Sequence, residues 1–126
     1  DAVALEGDLI SLLTFARSLS ADLDDALDIT IAPVMDAWGF TTEERHVPAP
    51  DALAAAMALV DSEELSVDTE ASAASLARAG MEVDLGAVAK GFAAGKAEEA
   101  MRAAGVERAT SRSSAPRRTA PPGGWR

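Results

Sequence analysis

Between residues 81 and 105 the hydrophobic period of this chain changes once, and that change constrains the fold more than any other feature. Met81, Val83 and Leu85 alternate with Glu82 and Asp84, the period-two pattern of a short half-buried strand. The apolar positions that follow recur at three- and four-residue steps. Val88, Phe92, Ala93, Ala97, Ala100, Met101 and Ala104 form a stripe along one helix face. Gly86 lies at the switch, and Gly105 stands just past the stripe, where a left-handed cap needs glycine. The stretch predicts a strand, a tight glycine turn and a helix over 86–104.

Two features of this helix exceed what packing requires. A helix opening exposes unpaired backbone N–H groups and a partial positive charge, so it attracts anions and disfavours cations. Lys90 falls within a turn of that opening, where the macrodipole opposes it by up to ~1 kcal/mol, and a bound phosphate would reverse the sign. Gly91 and Gly95 each cost roughly 1 kcal/mol against alanine in a helix interior. They suit the close approach of another backbone or a ligand. The plainer reading is a lysine extended into water and two tolerated glycines.

The rest of the chain supplies partners for this unit. Leu9, Ile10, Leu12, Leu13, Ala16 and Leu19 predict an amphipathic core helix over 6–20. The acidic loop 22–28 lacks the glycine and spaced terminal glutamate of a calcium loop. Pro33 fits the first turn of a short helix over 33–38, and Trp38-Gly39-Phe40 reads as core aromatics around a turn. His46, the one histidine, sits in a polar loop with no second imidazole or cysteine near it in sequence, and reads as solvated. Asp51 is placed to cap an alanine-rich helix over 51–61. Residues 65–68 and 74–78 read as strands around a turn at 69–72, and with 81–85 they predict an antiparallel meander. The expected class is α+β, an antiparallel sheet built from 65–85 and packed by helices.

Composition excludes several function classes. Residues 1–106 carry 20 acidic and 6 basic side chains, which argues against nonspecific nucleic-acid binding. With no cysteine there is no disulfide framework, thiolate metal site or cysteine nucleophile. No apolar run is long enough to form a membrane segment. The 29 alanines and five Phe and Trp residues imply small-side-chain packing. The chain starts at Asp1 with no signal-peptide pattern, which reads as an internal fragment or a processed chain. After Val106 the periodicity ends, and 108–126 is crowded with Arg, Pro, Ser and Gly, a composition expected to stay disordered. It reads either as a phosphate-binding arginine tail or, preferably, as the product of a frameshift or truncation.

Two blocks carry a family resemblance. Asp84-Leu-Gly-Ala-Val-Ala-Lys-Gly-Phe-Ala93 resembles the Asp-Leu-Gly-Gly-Ile-Ala-Lys-Gly-Tyr-Ala signature of the FAD:protein FMN transferases, the ApbE-like family. Ala26-Leu-Asp-Ile-Thr-Ile-Ala-Pro-Val-Met-Asp-Ala-Trp-Gly-Phe40 is similar to that family's Ala-Phe-Asp-x-Thr-Val-Gly-Pro-Leu-Val-x-x-Trp-Gly-Phe. The resemblance covers about residues 6–107 and implies a partial ApbE-like domain over 1–107, with N- and C-terminal parts of the family domain missing. Members transfer FMN from FAD to a threonine of a target flavoprotein, releasing AMP, with Mg2+. The resemblance implies that Ala26, Leu27 and Asp28 line the FAD pocket, that Asp84 binds the flavin and that Lys90 contacts FAD. It also makes the backbone carbonyl of Ala87 a magnesium ligand. Asp84 reads equally as a strand-end carboxylate capping the next helix.

Two positions depart from the family pattern: Asp25 replaces a glycine, and Ala32 replaces the glycine before the proline. Both narrow a loop that relies on backbone approach. The family's other metal ligands come from a C-terminal half that this chain lacks. Three functions follow as alternatives: a transferase fragment inactive alone, a flavin- or nucleotide-binding module without chemistry, or a structural remnant.

Overall fold

In a computed structural model of the chain, residues 2–23, 26–42 and 44–108 are described. They fall into two compact units, residues 1–89 and 90–126.

The first unit opens with strand β1 (Val3–Ala4) and helix α1 (Gly7–Asp22), which matches the predicted amphipathic helix. Its stripe puts Ile10, Leu12, Leu13, Ala16 and Ser20 in the interior, and the other buried apolar side chains are Ile29, Ala32, Ala56, Leu65, Met81 and Val88. Helix α2 (Ala32–Ala37) follows, with Pro33 in its first turn as expected. It ends in a Schellman motif: Phe40 N–H bonds the Met35 carbonyl at 2.9 Å and Gly39 N–H bonds that of Asp36 at 2.8 Å, with Gly39 at φ +68°. Trp38 and Phe40 stack at 6.3 Å between centroids, but Phe40 is 48% exposed and Trp38 is only half-buried. These rings therefore brace the turn from outside the core, and Arg45 lies over the Phe40 ring at 5.5 Å.

Helix α3 (Pro50–Met57) begins at Ala49, whose side chain makes no cap bond. Asp51 lies inside the first turn, where it complements the helix dipole but does not cap. A 3-10 turn, Ser62–Glu64, leads into strands β2 (Leu65–Asp68) and β3 (Ala73–Leu76). Asp68 Oδ1 accepts the N–H groups of Glu70 (2.9 Å) and Ala71 (2.8 Å) and so closes the predicted turn.

The sheet is antiparallel and three-stranded, as expected, but its order is β1-β3-β2. Residues 81–85 are not its third strand. The chain turns at Gly80 (φ +88°) and leaves the sheet, and the two-residue β1 pairs with β3 through Val3–Ala74 and Ala4–Ala73. Alternation along 81–85 marks extended backbone without naming its partner.

The second unit is described to residue 108 and consists of helix α4 (Ala89–Ala103), whose first residue closes the first unit. The helix starts three residues later than predicted because 86–88 form a turn, with Val88 N–H on the Leu85 carbonyl at 3.0 Å. Gly105 (φ +80°) ends it in a second Schellman motif, with Val106 N–H on Met101 O at 3.0 Å and Gly105 N–H on Arg102 O at 3.0 Å. None of its side chains is buried. Lys96 lies over the Phe92 ring at 5.5 Å, and Arg102 pairs with Glu98 at 2.6 Å. No described helix is long and apolar enough to cross a membrane. Asp25 and residues 109–126, the body of the predicted tail, lie outside the described residues.

Candidate functional site

The two sequence blocks are separated by residues 41–83, and the first meets the opening of the second within the first unit. Ile31 and Glu82 form a parallel bridge, and Asp84 N–H donates to the Ile29 carbonyl at 2.7 Å. These two contacts bring segments 26–31 and 81–86 side by side, and the burial of Ile29, Thr30 and Met81 holds them in place.

A polar network fixes the first segment. Asp28 Oδ1 accepts Thr30 N–H at 2.7 Å and the Thr30 hydroxyl at 2.6 Å, while Oδ2 accepts Ser62 N–H at 3.0 Å. The Thr30 oxygen in turn accepts Asp61 N–H at 2.8 Å. Asp61 Oδ1 takes Glu63 N–H at 3.0 Å and caps the 3-10 turn. On the other side Ser20, 1% exposed, donates its hydroxyl to the Leu27 carbonyl. No polar side-chain atom buried among the described residues lacks a partner.

Asp84 is half-buried at the end of the second segment. Its Oδ1 accepts Gly86 N–H at 2.6 Å, an Asx turn. This carboxylate therefore shapes the 84–86 turn and does not cap α4, which begins at Ala89. Gly86 leaves little room beside it, since a Cβ there would lie 2.9 Å from Asp84 Oδ1. Ala26 is exposed, Leu27 and Asp28 are half-buried, and Ala87 is exposed within the turn 86–88. Lys90 belongs to the other unit, exposed as the second residue of α4, the first-turn position that the dipole argument assumes. His46 is exposed, with Nδ1 3.2 Å from the Glu44 carbonyl.

Magnesium takes near-octahedral oxygen donors. Among the described residues no group of three or more His, Asp or Glu is arranged to hold a metal, and Ala87 offers one carbonyl. These residues do not make a magnesium site on their own.

The family profile described as the ApbE family matches residues 1–111. The chain belongs to the ApbE family. It is 35% identical over 94 residues to an FAD:protein FMN transferase of Haemophilus influenzae, which covers 71% of this chain and 27% of that protein. A transferase of the same name from Klebsiella pneumoniae is 30% identical over 107 residues, covering 85% and 34%. Among solved structures, the apo flavinyl transferase ApbE of Pseudomonas stutzeri superposes with a TM-score of 0.75 at 28% identity, over 82% of this chain and 32% of that one. The Vibrio cholerae flavin transferase ApbE gives 0.76 at 26% identity, over 83% and 34%. The chain thus spans about a third of the length of these relatives.

Within this ApbE-family chain both motif blocks were legible in the sequence, but the groups that brace the first of them were not identified. Ser20 carried a visible signal, a polar residue continuing the apolar face of α1 at the step after Ala16. The Asp28-x-Thr30 spacing is an Asx-turn signature. Asp61 and Ser62 carried none, because their bonds to Thr30 and Asp28 span 31 and 34 residues.

Proposed function

We propose that this chain supplies flavin-binding elements of an FAD:protein FMN transferase. The observation that carries the reading is the pairing of segments 26–31 and 81–86, which makes one surface of the two blocks that carry the family resemblance. Ala26, Leu27 and the backbone of Asp28 face the flavin on one side, and Asp84 faces it on the other. Asp84 Oδ2 accepts no hydrogen bond from the described residues, so it suits an N–H or O–H group of the flavin. Lys90, at the start of α4, neutralises phosphate on its own helix. In the transfer reaction the threonine hydroxyl of the target protein gives up its proton to solvent as its oxygen bonds to the FMN phosphorus, while the anhydride P–O bond breaks and AMP leaves with the bonding electron pair. Positioning and charge neutralisation carry most of such a reaction. This chain contributes the positioning of the flavin end, and among its described residues no group of carboxylates is arranged to hold magnesium.

Titration of FAD into the chain, followed by flavin fluorescence, tests the reading. Saturable binding, weakened at least tenfold by Asp84→Asn, is expected. A structural remnant would show no saturation. Incubation with FAD, Mg2+ and a threonine-bearing acceptor peptide separates binding from chemistry: FAD binding without FMN attachment is the expected pair of results.

A further inference from the structure

We infer that the Asp28 carboxylate is an internal strut, not a ligand-facing group, and that Thr30 is the positioning residue that holds it inward. The 26–28 segment then meets flavin through its backbone. This inference rests on the flavin-binding reading above.

The geometry comes from three donors on one side chain. Asp28 takes the Thr30 N–H and hydroxyl on Oδ1 and the Ser62 N–H on Oδ2, at 2.7, 2.6 and 3.0 Å. A carboxylate has about four acceptor positions, so most of its capacity is spent within the protein. Thr30 is fully buried, and its single hydroxyl proton can point to only one partner. Because Asp61 N–H donates to the same oxygen at 2.8 Å, that proton goes to Asp28. The hydroxyl therefore locks the carboxylate and the 61–62 turn together. Ser20 holds the Leu27 carbonyl and Asp84 N–H holds that of Ile29, so the segment is pinned on either side of Asp28. The arrangement also suits an anionic ligand. A carboxylate turned outward would repel the flavin diphosphate, whereas one engaged by three donors spends its charge inside.

The test compares wild type with Thr30→Ser, Thr30→Val, Asp28→Asn and the Thr30→Val/Asp28→Asn double variant. Thr30→Val keeps the shape but leaves Asp61 N–H without its acceptor. Asp28→Asn still serves Thr30 but turns an amide N–H toward the Ser62 N–H. Two quantities are read: the FAD dissociation constant by fluorescence, and amide exchange at Asp61 and Ser62 in the FAD-free chain. Thr30→Val and Asp28→Asn should each raise the FAD Kd about tenfold, within the range expected when a buried polar group loses its partner. Thr30→Ser should stay within about twofold of wild type. The double variant should be no worse than the poorer single, because both break one unit. Exchange should quicken about tenfold at Asp61 in Thr30→Val and at Ser62 in Asp28→Asn.

Effects on Kd that multiply in the double variant, or an Asp28→Asn loss of FAD affinity with Ser62 exchange unchanged, would make Asp28 a direct ligand contact and overturn the inference. So would an unchanged Kd in Thr30→Val. If Thr30→Val does not fold, Asp28→Asn and the Thr30→Ser rescue make the same comparison. A wild-type chain with no saturable FAD signal would remove the flavin reading and the backbone contact with it. The exchange data would then still decide the strut, which falls if Asp61 and Ser62 exchange as in wild type.

Discussion

Gly39 and Gly80 form a natural pair for measuring what a turn glycine is worth in this fold. Both have positive φ, +68° and +88°, so alanine at either position carries the left-handed penalty of about 1–2 kcal/mol. Their surroundings differ. A Cβ on Gly39 would sit 2.2 Å from the Glu44 carbonyl oxygen, whereas one on Gly80 would meet only the end of the flexible Leu59 side chain, at 3.2 Å. The Gly39 clash is with backbone, and relieving it means moving the 42–46 loop. That loop is tied to the turn by His46 N–H on Trp38 O at 3.3 Å and by the Thr42 hydroxyl on Gly39 O at 3.2 Å. Overpacking of this kind adds about 1–3 kcal/mol. Gly39→Ala should therefore cost about 2–5 kcal/mol, and Gly80→Ala only about 1–2 kcal/mol. With a urea slope of about 1–3 kcal/mol per molar for a small domain, the Gly39 variant should lose roughly 1–2 M in midpoint and the Gly80 variant clearly less. Equal midpoint shifts for the two variants would refute the packing argument.

Three further outcomes follow from the same structure. Ser20→Ala removes the donor to the buried Leu27 carbonyl and should cost about 1–3 kcal/mol by urea denaturation, with faster amide exchange across 26–28; a loss under about 0.3 kcal/mol would mean that water serves that carbonyl. A Cβ at Gly95 would meet no described atom within 4 Å, so Gly95→Ala should raise α4 stability by about 0.5–1 kcal/mol, seen as slower exchange along 92–100; a decrease would reveal packing that the glycine serves. Lys90→Glu should weaken FAD binding more than Lys90→Ala, while a glutamate in the first helical turn adds about 0.3–1 kcal/mol of helix stability; equal affinity in all three proteins would leave Lys90 as a solvated lysine.

Local patterns made most of the secondary structure legible. The stripe of α1, the turn between β2 and β3, Pro33 in the first turn of α2 and Gly105 after α4 are decided by neighbours within a few residues, and all appear as read. The third strand was not legible, because two residues at Val3–Ala4 give no period to detect and the alternation at 81–85 fits more than one partner. Asp51 failed as a cap because Pro50 already supplied the first helical residue and moved the cap to Ala49. Trp38 and Phe40 failed as core because hydrophobicity alone does not reveal that a turn faces outward. At the candidate site the motif residues were legible, whereas the long-range donors on Asp28 depend on where the chain returns.

If segments 26–28 and 84–87 form one flavin-binding surface, a bound flavin should be felt at both. Amide chemical shifts of the isotopically labelled chain, recorded while FAD is added, test this most directly. Saturable shifts should concentrate at Ala26, Leu27, Asp28 and the 84–87 turn, with Lys90 responding as a separate phosphate contact. Saturable shifts confined instead to the apolar groove lined by Leu9, Leu13, Leu76 and Val83, or no saturable shifts at all, would contradict it.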